Sequence, residues 1–330
     1  MPMLPLLPLL PILLQALAHV EALIDFGDDE DPDDVVPETL AAAPATRLGD
    51  VWLLGDHRLI CGDAQLPEIY SALMKGDQAR MVFTDPPYNV KISGHVCGSG
   101  AIQHREFAMA SGEMDQAGFT LFLANALSGM SNVSVDGAIH FVCMDWRHID
   151  ELQKAGSGIY SELKNLIVWK KTNGGMGTFY RSQHELVFAW KVGTAPHINT
   201  FGLGDTGRYR TNVWQYPGVN SFGASQKDLE LHPTVKPVAL VADAIKDVTR
   251  RGDIVLDGFG GSGTTLIAAE RCGRIARLVE LDPIYCDVIC RRYAALTGKA
   301  AVLAETGESL ADVSERRADE AVASAMEATE

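Results

Sequence analysis

The sequence predicts a doubly wound α/β fold with a mostly parallel sheet. Three observations carry that reading. From about Met81 onward, short apolar runs alternate with segments of helical period, the pattern of strands joined by crossover helices. The run Ile254-Val255-Leu256 leads into Asp257-Gly258-Phe259-Gly260-Gly261-Ser262-Gly263-Thr264-Thr265, a glycine-rich turn from strand to helix. A second run, Met81-Val82-Phe83, ends in Thr84-Asp85-Pro86-Pro87-Tyr88, so an acid arrives at a strand's carboxyl end, the edge where open α/β sheets bind ligands.

The elements follow in order. Residues 1–24 are apolar, with proline at positions 2, 5, 8 and 11. They lack the basic start and small-residue cleavage site of a signal peptide. Too few apolar residues remain beyond the prolines to span a bilayer, so no membrane is expected. Residues 25–46 are acidic and rich in Pro and Ala, the composition of a disordered linker. A folded domain is expected over 49–300. Val51-Trp52-Leu53-Leu54 and Arg58-Leu59-Ile60-Cys61, parted by Gly55-Asp56, read as a hairpin ending at Gly62-Asp63. A helix near 66–74 leads to the strand at 81–84, and residues 89–115 read as a long loop. Phe119, Phe122, Leu123, Ala126, Leu127 and Met130 share one helix face. Next are expected a strand at 138–144, a helix near 146–155, and strands near 163–170 and 184–191. Residues 192–231 read as irregular, with Arg208, Tyr209, Arg210, Trp214 and Tyr216 among them. Loops of that length inside a domain are usually functional. Pro237 suits a first helical turn. The strand at 254–256, the glycine turn, a helix to about Arg271, a strand at 275–280 and a helix capped by Asp282 complete the fold. The acidic tail, 304–330, is expected to fray.

Charge narrows the partners once it is located. The net charge is −15, but residues 21–50 carry −9 and residues 305–330 carry −6, so the acidity belongs to the ends. Residues 163–236 sum to +5, a basic bias permissive of DNA. The six cysteines, Cys61, Cys97, Cys143, Cys272, Cys286 and Cys290, form no CxxC pair. Cys286 and Cys290, one turn apart, suit a half-buried helix face. A reducing, cytoplasmic protein without structural zinc follows. His95, Cys97 and His104 have no ligand spacing, so no metal is assigned.

The glycine turn and the proline turn carry the chemistry. Gly258-x-Gly260-x-x-Gly263 with Glu280 fits a dinucleotide fingerprint, and it is close to a phosphate-binding loop except that Thr264 replaces the lysine. Asp257 decides between ligands, because a carboxylate there repels the phosphate that a helix N-terminus attracts. A ligand with positive charge and no phosphate fits better. S-adenosylmethionine has a sulfonium, an ammonium and ribose hydroxyls for Glu280. In the other turn, two prolines remove two N–H donors and leave a carboxylate, free carbonyls and the Tyr88 ring. The group these recognise best is flat and bears an exocyclic NH2.

The two turns together resemble the amino-DNA methyltransferases, which modify adenine N6 or cytosine N4. With Asp85-Pro86-Pro87-Tyr88 ahead of the glycine loop, the chain resembles that family's beta class, which has permuted motif order. His232-Pro233-Thr234-Val235-Lys236-Pro237 matches the segment that lines the methionine side of the cofactor pocket, and Gly62-Asp63 the segment near the cofactor adenine. Trp169-Lys170-Lys171 and His184-Glu185 also fit. Residues 49–59 resemble the join to a ParB-like domain seen in fusions, with residues 1–46 in that domain's place. The resemblance implies a Rossmann-like class I S-adenosylmethionine-dependent methyltransferase that modifies the adenine N6 amine in double-stranded DNA. It implies Asp85, Pro86, Pro87 and Tyr88 as catalytic residues. As cofactor ligands it implies Asp63, Asp85, His232, Thr234, Lys236, Asp257, Gly258, Phe259, Gly260, Gly261, Ser262, Gly263, Thr264 and Glu280.

In the mechanism so implied, Asp85 and the Pro86 carbonyl accept the amine's protons and localise its lone pair, while Tyr88 stacks on a base flipped from the duplex. Residues 192–231 are the expected target-recognition segment, with Arg208 and Arg210 as DNA contacts and Asn212 or Gln215 as readers of adenine. Lys170, Lys171 and Arg181 are further expected DNA contacts. A homodimer is compatible with the apolar arm, and a cognate nuclease is not read. Three alternatives stay open at this stage. Cytosine-N4 enzymes more often carry Ser in place of Asp85, and protein-glutamine methyltransferases carry Asn. A non-catalytic DNA-binding accessory would keep the cofactor site as a relic.

Overall fold

The computed structural model describes residues 44–90, 110, 112–172, 174, 179–204, 207–217 and 236–327. Strands β1 (Val51–Leu54) and β2 (His57–Cys61) form the expected hairpin. Helix α1 (Pro67–Met74), opened by its proline, leads to β3 (Ala79–Thr84). Helix α2 (Gln116–Asn132) starts where the Asp115 side chain accepts the Gly118 N–H at 2.7 Å. Then come β4 (Ser134–Met144), a 3-10 turn at Trp146–His148, α3 (Ile149–Ser157), β5 (Glu162–Lys170) and β6 (His184–Lys191). The last part holds β7 (Val213–Gln215), α4 (Val238–Val248), β8 (Ile254–Asp257), α5 (Thr264–Cys272), β9 (Ile275–Glu280), α6 (Pro283–Thr297), β10 (Val302–Leu303) and α7 (Leu310–Glu327).

Among the described residues, ten strands make one sheet in the order β10-β1-β2-β9-β8-β3-β4-β6-β5-β7. Pairing is parallel from β2 through β9, β8 and β3 to β4, and again between β5 and β7. The pairs β10–β1, β1–β2, β4–β6 and β6–β5 are antiparallel. The middle strands read as continuous apolar runs because both faces are covered. Met81, Phe83, Val255 and Leu278 pack under α4, α5 and α6 with Leu240, Ile267 and Ile289. Their alternates Val82, Leu256 and Val279 pack under α1, α2 and α3 with Tyr70, Phe122 and Leu152. Burying a side chain of this size stabilises the fold by about 1.5–3 kcal/mol, and the two-sided stack fixes the register of the strands that deliver the motif loops.

Three expectations are corrected. The described part of residues 192–231 is not wholly irregular: it contains a 3-10 turn at Gly202–Gly204 and β7, whose Trp214 is buried and packs tilted against Phe141, ring centroids 5.7 Å apart, while 205–206 and 218–231 lie outside the described residues. Pro237 is the residue before α4 rather than its first. The acidic tail does not fray but forms α7. Its Val313 is fully buried, and the Arg317 guanidinium donates to both Asp50 carboxylate oxygens and, at 2.6 Å, to the Ala45 carbonyl. The acids that suggested a solvated tail are partners: Glu308 and Glu320 bind Arg316 at 2.9 and 2.8 Å. At the other boundary, the Ala45 and Thr46 amides donate to Asp287 at 2.8 and 3.0 Å. No helix among the described residues is long and apolar enough to cross a membrane.

Candidate active site

Strands β2, β9, β8 and β3 are parallel, so the residues that leave them gather at one edge of the sheet. β8 connects through α5 to β9 on one side, whereas β3 connects through α2 to β4 on the other. The crevice between β8 and β3 is therefore the topological switch point, where such sheets bind ligands. A cleft opens there, lined by Gly62, Asp63, Asp85 to Tyr88, Lys236, Asp257 to Ser262, Thr264 and Glu280 to Asp282.

The glycine loop forms the floor of the cleft. Gly263 has φ +89°, and a Cβ there would approach Ile289 Cγ1 to 2.9 Å, so only glycine admits this entry into α5. At Gly258 a Cβ would meet Met130 Sδ at 2.9 Å, which keeps the strand exit close against α2. Both Asp257 oxygens hold the loop in place. Oδ1 accepts from Thr84 Oγ1 at 2.9 Å and from the Phe259 N–H at 3.0 Å, and Oδ2 accepts from Thr265 Oγ1 at 2.6 Å. Glu280 does the same from β9, accepting the Gly261 N–H at 2.7 Å and the Asp282 N–H at 2.8 Å. Burial pushes both acids up to about 7, against the pull of these hydrogen bonds.

One strand away stands a half-buried group of charges around a buried lysine. Tyr88 Oη donates to Asp85 Oδ1 at 2.5 Å, and Lys236 Nζ donates to Asp85 Oδ2. The same ammonium lies 3.1 Å from Glu185 Oε2, and Lys171 Nζ donates to Glu185 Oε1. Burial pushes Asp85 up, Lys236 pulls it back, and the neighbouring Glu185 pushes it up again. Burial opposes the charge on Lys236, but Asp85 and Glu185 outweigh it and hold the ammonium above its usual range. Burial likewise opposes the charge on Glu185, which Lys236 and Lys171 draw down to about 2. Two acids share this site because two ammoniums lie between and beside them.

Residues 79–291 match the profile of a DNA methylase family, the N6/N4 type. The chain belongs to that family. It is 26% identical over 230 residues to the Type II methyltransferase M2.MboI of Moraxella bovis, covering 66% of this chain and 81% of that one. In fold it is similar to M1.HpyAVI, solved as a complex with SAM (TM-score 0.52, 19% identity, 71% of this chain and 97% of that one). It is also similar to the cytosine-N4-specific PvuII DNA methyltransferase (TM-score 0.55, 17% identity, 83% and 94%). The methylase uses S-adenosylmethionine as methyl donor and DNA as substrate. Its cleft suits that donor: Asp63, Asp85, Asp257, Glu280 and Asp282 line it against one ammonium, Lys236, which is itself neutralised. Such a lining favours a cation and disfavours a phosphate.

The other expected site residues of the methylase divide. Asp63 and the whole run from Asp257 to Thr264, apart from the glycine at 263, line the cleft with Glu280. His232 and Thr234 lie outside the described residues, as do His95, Cys97 and His104. Lys236, expected at the cofactor, lines the cleft with its ammonium on Asp85 and Glu185. Lys170 and Arg181 are exposed. Lys171 is committed to Glu185 and lies over the Trp169 ring at 4.7 Å. Arg208 and Arg210, expected at DNA, are ion-paired to Asp247 at 2.9 Å each, and Arg210 stacks on Trp214. These bonds fasten the segment before β7 to α4, because two buried-edge acids on α4 need counter-charges. Glu185 gained no role from the sequence. Its only signal was the His184-Glu185 pair, and nothing local tells that β6 brings it to Asp85.

Proposed function

We propose that this methylase transfers a methyl group to the exocyclic N6 amine of adenine in duplex DNA, with Asp85, Pro86, Pro87 and Tyr88 receiving the base. The observation that carries the reading is the Asp85 carboxylate, which lines the cleft one strand from the glycine loop. An exocyclic amine is a poor nucleophile because its lone pair is delocalised into the ring. Asp85 accepts one N–H and the Pro86 carbonyl the other, which drives the nitrogen toward sp3 and frees that pair. S-adenosylmethionine held in the cleft would supply an electrophilic methyl on a sulfonium, leaving as the neutral thioether when the S–C bond breaks, while the methylated nitrogen's surplus proton passes to Asp85. Glu280 and Asp63 orient its ribose and adenine, and the loop from Gly258 to Thr264 closes under it. Asp257 contributes by holding that loop, since its oxygens already take three donors. The amine is paired inside a duplex, so the base leaves the stack to reach Asp85, with Tyr88 as its stacking face.

Sequence choice is assigned to residues 192–231. In support, β7 runs parallel to β5 and ends at the catalytic edge, where exposed Gln215 pairs with Lys170. Within the same segment Tyr209 is 79% exposed. Lys170 and Arg181, unlike Arg208 and Arg210, are free of strong ion pairs among the described residues and serve as phosphate contacts.

The test is Asp85→Ala. Transfer to DNA is expected to disappear while S-adenosylmethionine affinity, read by calorimetry, stays within about threefold, less than the loss of a charged partner would cause. A matching loss of affinity would place Asp85 at the cofactor and remove it from the amine.

A further inference from the structure

In the free enzyme both Asp85 oxygens are occupied: Oδ1 by the Tyr88 hydroxyl and Oδ2 by the Lys236 ammonium. Each of these oxygens can still accept a second donor, so an amine that binds Asp85 either shares an oxygen with Lys236 or Tyr88 or displaces one of them. Lys236 already has somewhere to go. Its Nζ lies 3.1 Å from Glu185 Oε2, and Glu185 is itself anchored on its far side by Lys171. Leaving Asp85 would thus cost the ammonium one partner and not both. Tyr88 has less choice, since Glu185 Oε2 is 3.4 Å from its hydroxyl and is shared with the lysine. The lysine side chain is almost fully buried, at 6% exposure, so it cannot simply turn to solvent.

We propose that Lys236 is a positioning residue of methyl transfer: it holds Asp85 in the free enzyme and yields that oxygen to the target amine by moving its ammonium onto Glu185. Glu185, anchored by Lys171, is the second half of this device. Withdrawal also suits the chemistry. The amine nitrogen becomes positive as the methyl arrives, and an ammonium left on Asp85 would repel it. The inference rests on the placement of the target amine at Asp85.

The groups that face Asp85 predict opposite effects for the two variants. They are Tyr88 on its own loop, Lys236 ahead of α4, Glu185 on β6, Cys143 on β4 and Asp257 on β8, with Lys171 behind Glu185. Lys236→Gln removes the counter-charge, so the acid limb of kcat/KM moves to higher pH by about one unit. Glu185→Gln removes a repelling charge, so the limb moves to lower pH, yet the lysine then lacks its second seat. In both variants the single-turnover rate at saturating cofactor is expected to fall about ten- to a hundredfold, the loss typical of a charged hydrogen-bond partner.

The experiment measures S-adenosylmethionine affinity by calorimetry, single-turnover methylation of duplex DNA, and the pH profile for wild type, Lys236→Gln, Lys236→Arg and Glu185→Gln. Cofactor affinity within about threefold of wild type, slowed transfer and limbs displaced in opposite directions support the proposal, with Lys236→Arg nearer to wild type in pH profile than Lys236→Gln. A Lys236→Gln enzyme that loses cofactor affinity but transfers at the wild-type rate once saturated would return Lys236 to the cofactor site and overturn it. Unchanged rates in both glutamine variants, or limbs moving the same way, would also overturn it. If Lys236→Gln fails to fold, Glu185→Gln and Lys236→Arg decide by the same criteria. A wild-type enzyme that methylates no adenine would instead sink the reading on which the inference rests.

Discussion

At the residue scale, the cofactor cleft makes its own pH dependence. Asp257 and Glu280 are pushed up to about 7 by burial, so in the free protein they pass from neutral to charged across neutrality. A cationic ligand and its ribose donors favour the charged forms. S-adenosylmethionine affinity should therefore climb between pH 6 and 8, with protons released on binding near pH 7. For the unliganded fold the sign is the reverse. Acids whose folded values are raised favour the fold below their ordinary range near 4, and that contribution is lost as pH rises through about 7. Calorimetry at three pH values, in two buffers of different ionisation enthalpy, reads both quantities. Flat affinity with no proton release would mean that neither acid responds to the cofactor. At this scale the sequence named the acids but not their partners. Asp257 was read as facing the ligand's charge, whereas Thr84, 173 positions away, takes one of its oxygens. The Lys236–Asp85 contact joins positions 151 apart, and no spacing rule spans that distance.

At the element scale, legibility followed locality. The unit β8, glycine loop, α5 and β9 is readable because its period, its glycines and its caps all lie within residues 254–280. β7 is not, since three residues carry no period and its existence depends on the neighbouring β5. α7 was missed because its apolar stripe is thin among acids, and its order comes from Arg317 meeting Asp50 across 267 positions. That helix carries a prediction. A chain cut after residue 304 should melt below the whole chain, because the cut exposes the pocket of Val313 and strips Asp50 of the Arg317 guanidinium. The loss of one buried aliphatic side chain is about 1.5–3 kcal/mol. At about 2–4 °C per kcal/mol, the melting temperature should fall by roughly 3–12 °C. Equal melting in the two chains, followed by circular dichroism, would mean that α7 lies on the surface without supporting it.

At the scale of the whole molecule, one sheet edge gathers the cofactor loop, the charged group around Asp85, and the exposed end of β7. The acidity lies at the two ends of the chain and is partly paired there, Glu308 and Glu320 with Arg316, Glu320 also with Arg47, and Asp50 with Arg317. What the edge is for comes down to which atom is methylated. The most direct measurement incubates the enzyme with unmethylated duplex DNA and methyl-deuterated S-adenosylmethionine, digests the DNA to nucleosides, and weighs them by mass spectrometry. Transfer to the adenine N6 amine at Asp85 predicts labelled N6-methyldeoxyadenosine as the product, absent when Asp85→Ala replaces the wild type. Labelled N4-methyldeoxycytidine in its place, or undiminished product from Asp85→Ala, would contradict it.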